Sequence, residues 1–224
     1  MTLLITIGPS LALLLYFILS DKFKEPKKII IITFLFGILI TIPAGYLNHF
    51  IGKNFENESL INNALLSGFF AGGLVEEILK FSVLYFYVLR EKEFNEPMDA
   101  IVYGVVISLG FATLENIEYV YFSKYSGIET AIVRAYSAIP MHCLCAVVMG
   151  YYFGSYVFNG EGKYLGLAVI VPIIFHGTYN FLCVFPNNYY LFVVIILFIF
   201  SILLHRNAKV IQRSKVSEHE EKKL

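Results

Sequence analysis

Residues 71–81 of the chain, AGGLVEEILKF, place two adjacent glutamates and a lysine inside a long apolar stretch. No other charged side chain occurs in residues 63–89. A carboxylate in a lipid-spanning helix costs at least about 2.5–3.5 kcal/mol on insertion scales, so two in succession need a specific purpose. On a helix, Glu76 and Glu77 both lie about one turn from Lys80, so a single ammonium can serve both acids. The stretch therefore predicts either a buried structural ion pair or a reactive site within a membrane.

The composition indicates a polytopic membrane protein with an all-α fold. Of the 224 residues, 58% are hydrophobic and 15% are charged, whereas a soluble domain carries about 25% charged residues. The net charge is zero, so no overall field attracts nucleic acid, and we expect the lipid bilayer as the surrounding partner. The three cysteines all lie in apolar segments, and an odd number does not predict a disulfide framework.

The apolar segments predict a helical bundle of about seven crossings, since each crossing needs about 20 apolar residues. The predicted spans are 2–20, 29–50, 63–89, 99–122, 132–158, 164–185 and 189–204. We expect Asp99 to be the N-cap of the fourth span and Pro140 to free a carbonyl one turn earlier in the fifth. Residues 1–204 then form one transmembrane domain, and residues 205–224 form a charged tail that is frayed or disordered.

The distribution of basic residues predicts the orientation in the membrane. Basic residues cluster after the first, third, fifth and seventh predicted spans, at Lys22, Lys24, Lys27, Lys28, Arg90, Lys92, Lys163, Arg206, Lys209, Arg213, Lys215, Lys222 and Lys223. The alternate loops contain only Lys53, Lys124 and, near a span end, Arg134. Because basic loops stay in the cytoplasm, the N-terminus is expected outside and the C-terminal tail inside.

Polar residues also interrupt the fourth, fifth and sixth predicted spans. They are Glu115, Asn116 and Glu118 in the fourth span, His142 in the fifth, and His176 and Asn180 in the sixth. Counting 1.5 Å per residue places the glutamate pair, Glu115, His142 and His176 at middle to outer depth. Glu118 lies close to the outer interface, where we expect it to be exposed. Residues that share one depth on four helices predict a single cavity that water can reach.

Glutamates, histidines and an asparagine in such a cavity suit acid–base hydrolysis. A carboxylate can take a proton from water, and a histidine or asparagine can donate to the oxyanion of a tetrahedral intermediate. The competing chemistry is zinc held by His142, His176 and a carboxylate. The chain lacks a His-Glu-x-x-His motif, and Lys80 already neutralises charge beside the glutamate pair. We therefore expect a site without metal or other cofactor.

The motifs together resemble the PrsW family of intramembrane proteases, within the larger group of CAAX prenyl proteases and bacteriocin-processing enzymes. The motifs that carry the resemblance are Glu76-Glu77-x-x-Lys80, Phe111-x-x-x-Glu115-Asn116, His142 and His176-x-x-x-Asn180. The resemblance extends from the first to the seventh predicted span and is strongest over spans three to six.

This resemblance implies a glutamic-type peptidase of the bacterial plasma membrane. Its substrate would be a single-pass anti-sigma factor, cut first on the extracytoplasmic side, and the cut would lead to release of a sigma factor in the envelope-stress response. Glu76 would activate water, and Glu77 would assist or orient it while paired with Lys80. Glu115 stands where CAAX proteases carry a histidine, which counts against zinc.

The same motifs imply supporting roles for the remaining polar groups. His142 and His176 would stabilise the oxyanion or carry protons, with Asn180 assisting. Asn116 would either support the site or only bridge helices. Two other functions remain open at this point: a proton-coupled transporter, which also uses intramembrane glutamate and histidine, and a non-catalytic membrane scaffold.

The loop charges generate a testable topology. A reporter fused after Leu224 should be active only in the cytoplasm, because the most basic segment stays there. Reporter activity on the outer face would show that the orientation is the opposite of the predicted one and that the predicted cavity lies nearer the cytoplasm.

Overall fold

The computed structural model describes residues 1–124 and 126–221, with side chains as far as residue 212. This part of the chain contains helices and connecting turns and no β-strand, which confirms the all-α fold class. Its elements are α1 (Thr2–Ser20), α2 (Lys27–Lys53), α3 (Leu60–Leu66), a π-helical segment (Ser67–Val75), α4 (Glu76–Phe86), a 3₁₀ turn (Val88–Arg90), α5 (Pro97–Tyr121), α6 (Ile128–Tyr136), α7 (Ala138–Asn159), α8 (Lys163–Leu182) and α9 (Tyr190–Glu221).

Six helical segments of the described residues are long and apolar enough to cross a bilayer. They are Thr2–Ser20, Lys27–Lys53, Pro97–Tyr121, Ile128–Asn159, Lys163–Leu182 and Tyr190–Gln212. The predicted third span corresponds to α3, the π-helical segment and α4, which follow one another directly as three shorter pieces. The multi-pass architecture is thus confirmed, whereas the count of seven and the orientation stay predictions.

Helix α5 forms the centre of the bundle, and α1, α2, α4, α6 and α7 pack around it. Glycines allow its backbone to approach its neighbours closely. A Cβ atom on Gly110 would lie 2.3 Å from the carbonyl oxygen of Phe34, and one on Gly37 would lie 2.1 Å from that of Ile107. On the other side, a Cβ on Gly150 would lie 2.4 Å from the carbonyl oxygen of Ala100.

The π-helical segment and α8 form a second close contact, which positions the glutamate pair. A Cβ on Gly73 would lie 3.0 Å from both the Gly177 nitrogen and the Ile173 carbonyl oxygen. Gly72 faces the side chain of Asn180, where a Cβ would lie 2.1 Å from Nδ2. The hydrogen bonding of this segment is π-helical, which the sequence does not predict and which occurs often at functional sites.

Two boundaries differ from, or refine, the sequence prediction. The prediction of Asp99 as N-cap is wrong: α5 begins at Pro97, Glu96 is the N-cap, and the Asp99 carboxylate accepts from the Glu96 N–H at 2.8 Å. Proline favours the first helical position, which places the aspartate at the third, where it closes a capping box. The fifth span divides at Ser137 into α6 and α7, because Pro140 has no N–H to donate to the carbonyl of the preceding turn.

The beginning of the tail also differs from the prediction. Helix α9 continues without a break past His205 to Glu221, so this part is neither frayed nor disordered; residues 222–224 lie outside the described part. Ala208 and Gln212 are buried, and the Gln212 amide donates to the Asp21 carboxylate at 2.8 Å. These contacts with the end of α1 explain why a polar sequence remains helical here.

The contact between α2 and α5 can be tested with paired glycine substitutions. Gly37→Ala should lower the free energy of unfolding by about 1–3 kcal/mol, because the new methyl group meets backbone that cannot move aside. Gly45→Ala on the same helix is the matched control, since a Cβ there has open space around it. It should be neutral or stabilising by up to about 1 kcal/mol. Equal thermal unfolding midpoints for the two purified variants would contradict the close packing.

Candidate active site

The buried ammonium of Lys80 connects the glutamate pair to His142. Its Nζ lies 2.8 Å from Glu77 Oε1, 3.6 Å from Glu76 Oε2 and 2.9 Å from His142 Nδ1. The ring of Phe111 covers it at 4.4 Å from Nζ to the centroid. The exposed fractions of Glu76, Glu77 and Lys80 are 4%, 0% and 2%. The ion pair predicted from the helical spacing is therefore present and fully enclosed.

His142 links this pair to the acid of α5. Its Nε2 lies 3.0 Å from Glu115 Oε2, the same oxygen that accepts from Arg134 Nη2 at 2.5 Å. Arg134 Nε donates to Asn116 Oδ1 at 2.6 Å, and the Asn116 amide donates to the carbonyl oxygen of Thr6 at 2.6 Å. Asn116 thus bridges α1, α5 and α6.

His176 approaches both glutamates from α8. Its Nδ1 lies 2.8 Å from Glu77 Oε1, and its Nε2 lies 3.8 Å from Glu76 Oε2. Because a carboxylate can only accept, Nδ1 carries the hydrogen and Nε2 faces Glu76. Asn48 donates to Glu76 Oε1 at 3.0 Å. The second oxygen, Oε2 of Glu76, is buried and has no hydrogen-bond partner among the described residues.

Several of these groups line one cavity of about 400 Å³, whereas Glu77, Lys80 and Asn116 lie behind its wall. The site residues on its wall are Asn48, Glu76, Glu115, Arg134, His142, His176 and Asn180, together with the small residues Gly68 and Gly72. The site lies near the carboxyl ends of α5 and α8 and near the amino end of α7. It is therefore displaced from the end of the bundle that carries the lysine-rich loops.

The structure brings together every predicted site residue: Glu76, Glu77, Lys80, Glu115, Asn116, His142, His176 and Asn180. Glu118 is exposed, as expected. Sequence reasoning missed Arg134 and Asn48. The charge pattern assigns Arg134 to a loop, although its position inside the predicted fifth span signals a buried charge. Asn48 lies near the end of the second span, and nothing in its local pattern marks it.

Comparison with known proteins identifies the kind of protein to which this site belongs. A family model described as "PrsW family intramembrane metalloprotease" matches residues 25–204. The chain belongs to the PrsW family. The family is one of membrane proteases, so this chain is a peptidase and a multi-pass protein of the bacterial membrane.

Relatives of the PrsW family support the assignment along most of the chain. The protein named Protease PrsW from Geobacillus kaustophilus is 38% identical over 79% of this chain and 76% of its own length. Those from Bacillus subtilis and Clostridioides difficile are 35% and 32% identical, over 82% and 88% of this chain and 83% and 85% of their own lengths. No solved structure matches the chain.

The word metalloprotease in the PrsW family description requires a test of the residues as metal ligands. Glu76, His142 and His176 each offer a donor atom, and these atoms lie within 4.8 Å of one another. However, an ammonium can only donate, so His142 Nδ1 accepts from Lys80, and Nε2 donates to Glu115. His142 then has no free lone pair, and the Lys80 charge already lies 3.6 Å from Glu76. As arranged, these residues do not fit a catalytic metal.

This conclusion predicts how the purified protein responds to a zinc chelator. Phenanthroline, whose nitrogen donors select transition metals over calcium and magnesium, should leave substrate cleavage unchanged, and elemental analysis should find no stoichiometric zinc. Loss of cleavage that added zinc restores would instead make Glu76, His142 and His176 ligands.

Proposed function

We propose that the chain cleaves a peptide bond of a membrane protein by direct attack of water, with Glu76 as the general base. The observation that carries the proposal is the Oε2 atom of Glu76. Glu76 lines the cavity, and this buried carboxylate oxygen has no hydrogen-bond partner within the described part of the chain. A water molecule beside this oxygen could donate a hydrogen to it and present its own oxygen to a substrate carbonyl.

The charges around the cavity support this assignment. Three carboxylates, Glu76, Glu77 and Glu115, meet two permanent cations, Lys80 and Arg134. A buried charge is stable only when it is paired. Two of the acids have a close cation, and the third must share one. One proton added to the group would balance its charge, and a general base has to take up one proton in each cycle.

The hydrogen bonds indicate which acid is free to accept that proton. Glu77 Oε1 accepts from Lys80 and His176, both at 2.8 Å. Glu115 Oε2 is bound by Arg134 at 2.5 Å and by His142 at 3.0 Å. Glu76 is 3.6 Å from Lys80, and among the residues whose side chains are described the neutral Asn48 amide is its only close donor. Protonation of Glu76 therefore breaks the fewest interactions.

The reaction that follows uses neighbouring groups as donors. As the water oxygen bonds to the carbonyl carbon, Glu76 takes the water proton and the carbonyl oxygen becomes an oxyanion. The Asn180 amide lines the cavity and can donate to it. The C–N bond then breaks, and protonated Glu76 gives its proton to the leaving amine. Glu77 holds His176 with Nε2 toward the reacting water, and His142 holds Lys80 and Glu115 in position.

We propose a single-pass anti-sigma factor as the substrate, cut first on the extracytoplasmic side. The family resemblance of the four motifs supports the substrate class. The position of the site supports the side of the cut, because the cavity lies away from the lysine-rich loops that the positive-inside rule assigns to the cytoplasm. The cut would lead to release of the sigma factor and to an envelope-stress response.

A glutamine substitution tests the role of Glu76. Glu76→Gln keeps the size and one acceptor but cannot take a proton, so cleavage should fall by at least about 10²–10⁴-fold. The variant should accumulate normally in the membrane, because an uncharged amide costs less to bury than a carboxylate. The measurement is cleavage of candidate anti-sigma factors in proteoliposomes at matched enzyme levels, with the cut mapped by mass spectrometry.

Glu118→Gln is the matched control, since this exposed glutamate lies outside the cavity, and it should cleave like the wild type. Near-normal cleavage by Glu76→Gln would show that Glu76 is not the general base and would leave Glu77 and Glu115 as the candidates. A cut mapped on the cytoplasmic side would contradict the proposed depth of attack.

A further inference from the structure

A second group of acids lies at the opposite end of the bundle, where α1 ends and α5 begins. Asp21, Glu25 and Asp99 each contribute a carboxylate oxygen, and these oxygens lie within 4.8 Å of one another. Asp21 and Asp99 are 2% and 0% exposed. Asp99 is separated from Glu115 along α5 by roughly 24 Å at 1.5 Å per residue, so the group is distinct from the peptidase site.

The two buried aspartates each use one oxygen for local structure and leave the other without a partner. Asp21 Oδ1 accepts from the Phe23 N–H at 3.1 Å and from the Gln212 amide at 2.8 Å. Asp99 Oδ2 accepts from the N–H groups of Asn95 and Glu96, both at 2.8 Å. Asp21 Oδ2 and Asp99 Oδ1 are buried and have no N–H or hydroxyl donor among the described residues, and the Glu25 carboxyl group lies within hydrogen-bonding reach of Asp99. These local hydrogen bonds therefore account for only one of the two oxygens of each aspartate.

No basic side chain neutralises this group within residues 1–124 and 126–212, where no lysine or arginine forms an ion pair with any of the three acids. The nearby Lys24 donates instead to backbone carbonyls at the end of α1, those of Ile18 at 3.1 Å, of Leu19 at 2.9 Å and of Asp21 itself. Glu25 is additionally hydrogen-bonded by the Tyr103 hydroxyl. Buried carboxylates in such proximity require either a cation or shared protons.

We propose that Asp21, Glu25 and Asp99 bind one hard divalent cation of the calcium or magnesium class. Calcium binds carboxylate oxygens at about 2.3–2.6 Å. Two oxygens bound to one calcium ion therefore lie at most about 5 Å apart. The spacing of the three carboxylates agrees with this limit. Water molecules complete the coordination of these ions in proteins.

The ion would fasten the extended C-terminal helix to the bundle. Gln212 on α9 donates to Asp21, and also to Glu96 at the start of α5. An ion that fixes the aspartates therefore also fixes the acceptors that hold this part of α9. The proposal concerns stability and does not depend on the peptidase mechanism.

Terbium, a luminescent substitute for calcium, provides the test in the full-length detergent-solubilised protein after treatment with EDTA. Tyr103 contacts Glu25 and should transfer excitation energy to a bound terbium ion. We expect saturable luminescence with one site per chain, displacement by calcium or magnesium, and a thermal unfolding midpoint several degrees higher with millimolar calcium than with EDTA.

Glu25→Gln should weaken terbium binding at least tenfold and abolish the calcium-dependent rise in the midpoint. Because it removes a like charge, it should fold and should equal or exceed the wild type in stability in EDTA; Asp21→Asn provides a second variant with the same expectation. Glu76→Gln is the control that should retain the signal. The proposal is overturned if the wild type shows no saturable signal or no stabilisation by calcium, or if the signal survives Glu25→Gln with unchanged affinity.

Discussion

The site depends on the burial of one ammonium group, that of Lys80. This group cannot remain charged in the interior without carboxylates in contact. Glu77 and Glu76, one helical turn earlier, form ion pairs with it. Removal of one partner from a buried ion pair costs about 3–5 kcal/mol. The requirement therefore fixes where both glutamates and His142 lie, and it leaves Glu76 as the acid with the fewest close donors.

The packing of the helices follows from the same requirement. His176 reaches the glutamates only because the glycine-rich π-helical segment lets the backbone of α8 approach closely. Arg134 reaches Glu115 from α6, which ends before Ser137 and packs against α1 and α5. Small residues and one proline thus determine the distances on which the proposed chemistry rests.

Much of this arrangement could be predicted from the sequence, because an intramembrane charge is costly and the helical repeat assigns each residue a face and a depth. That reasoning brought Glu76, His142 and His176 to one cavity. It did not predict the π-helical hydrogen bonds, which depend on packing against α8, or the contact of Arg134. The tail was wrongly expected to be frayed because its polarity conceals its contact with Asp21, a residue distant in the sequence.

A double-mutant cycle between Lys80 and Glu77 tests the central claim most directly. Lys80→Met alone should be strongly destabilised, because it leaves buried acids unpaired, and addition of Glu77→Gln should recover a large part of the loss, with a coupling free energy of about 1–3 kcal/mol. The double variant should fold without cleaving, since Glu76 would have lost the charge that orients it. Additive effects of the two substitutions on the free energy of unfolding would show that the ammonium does not organise the site.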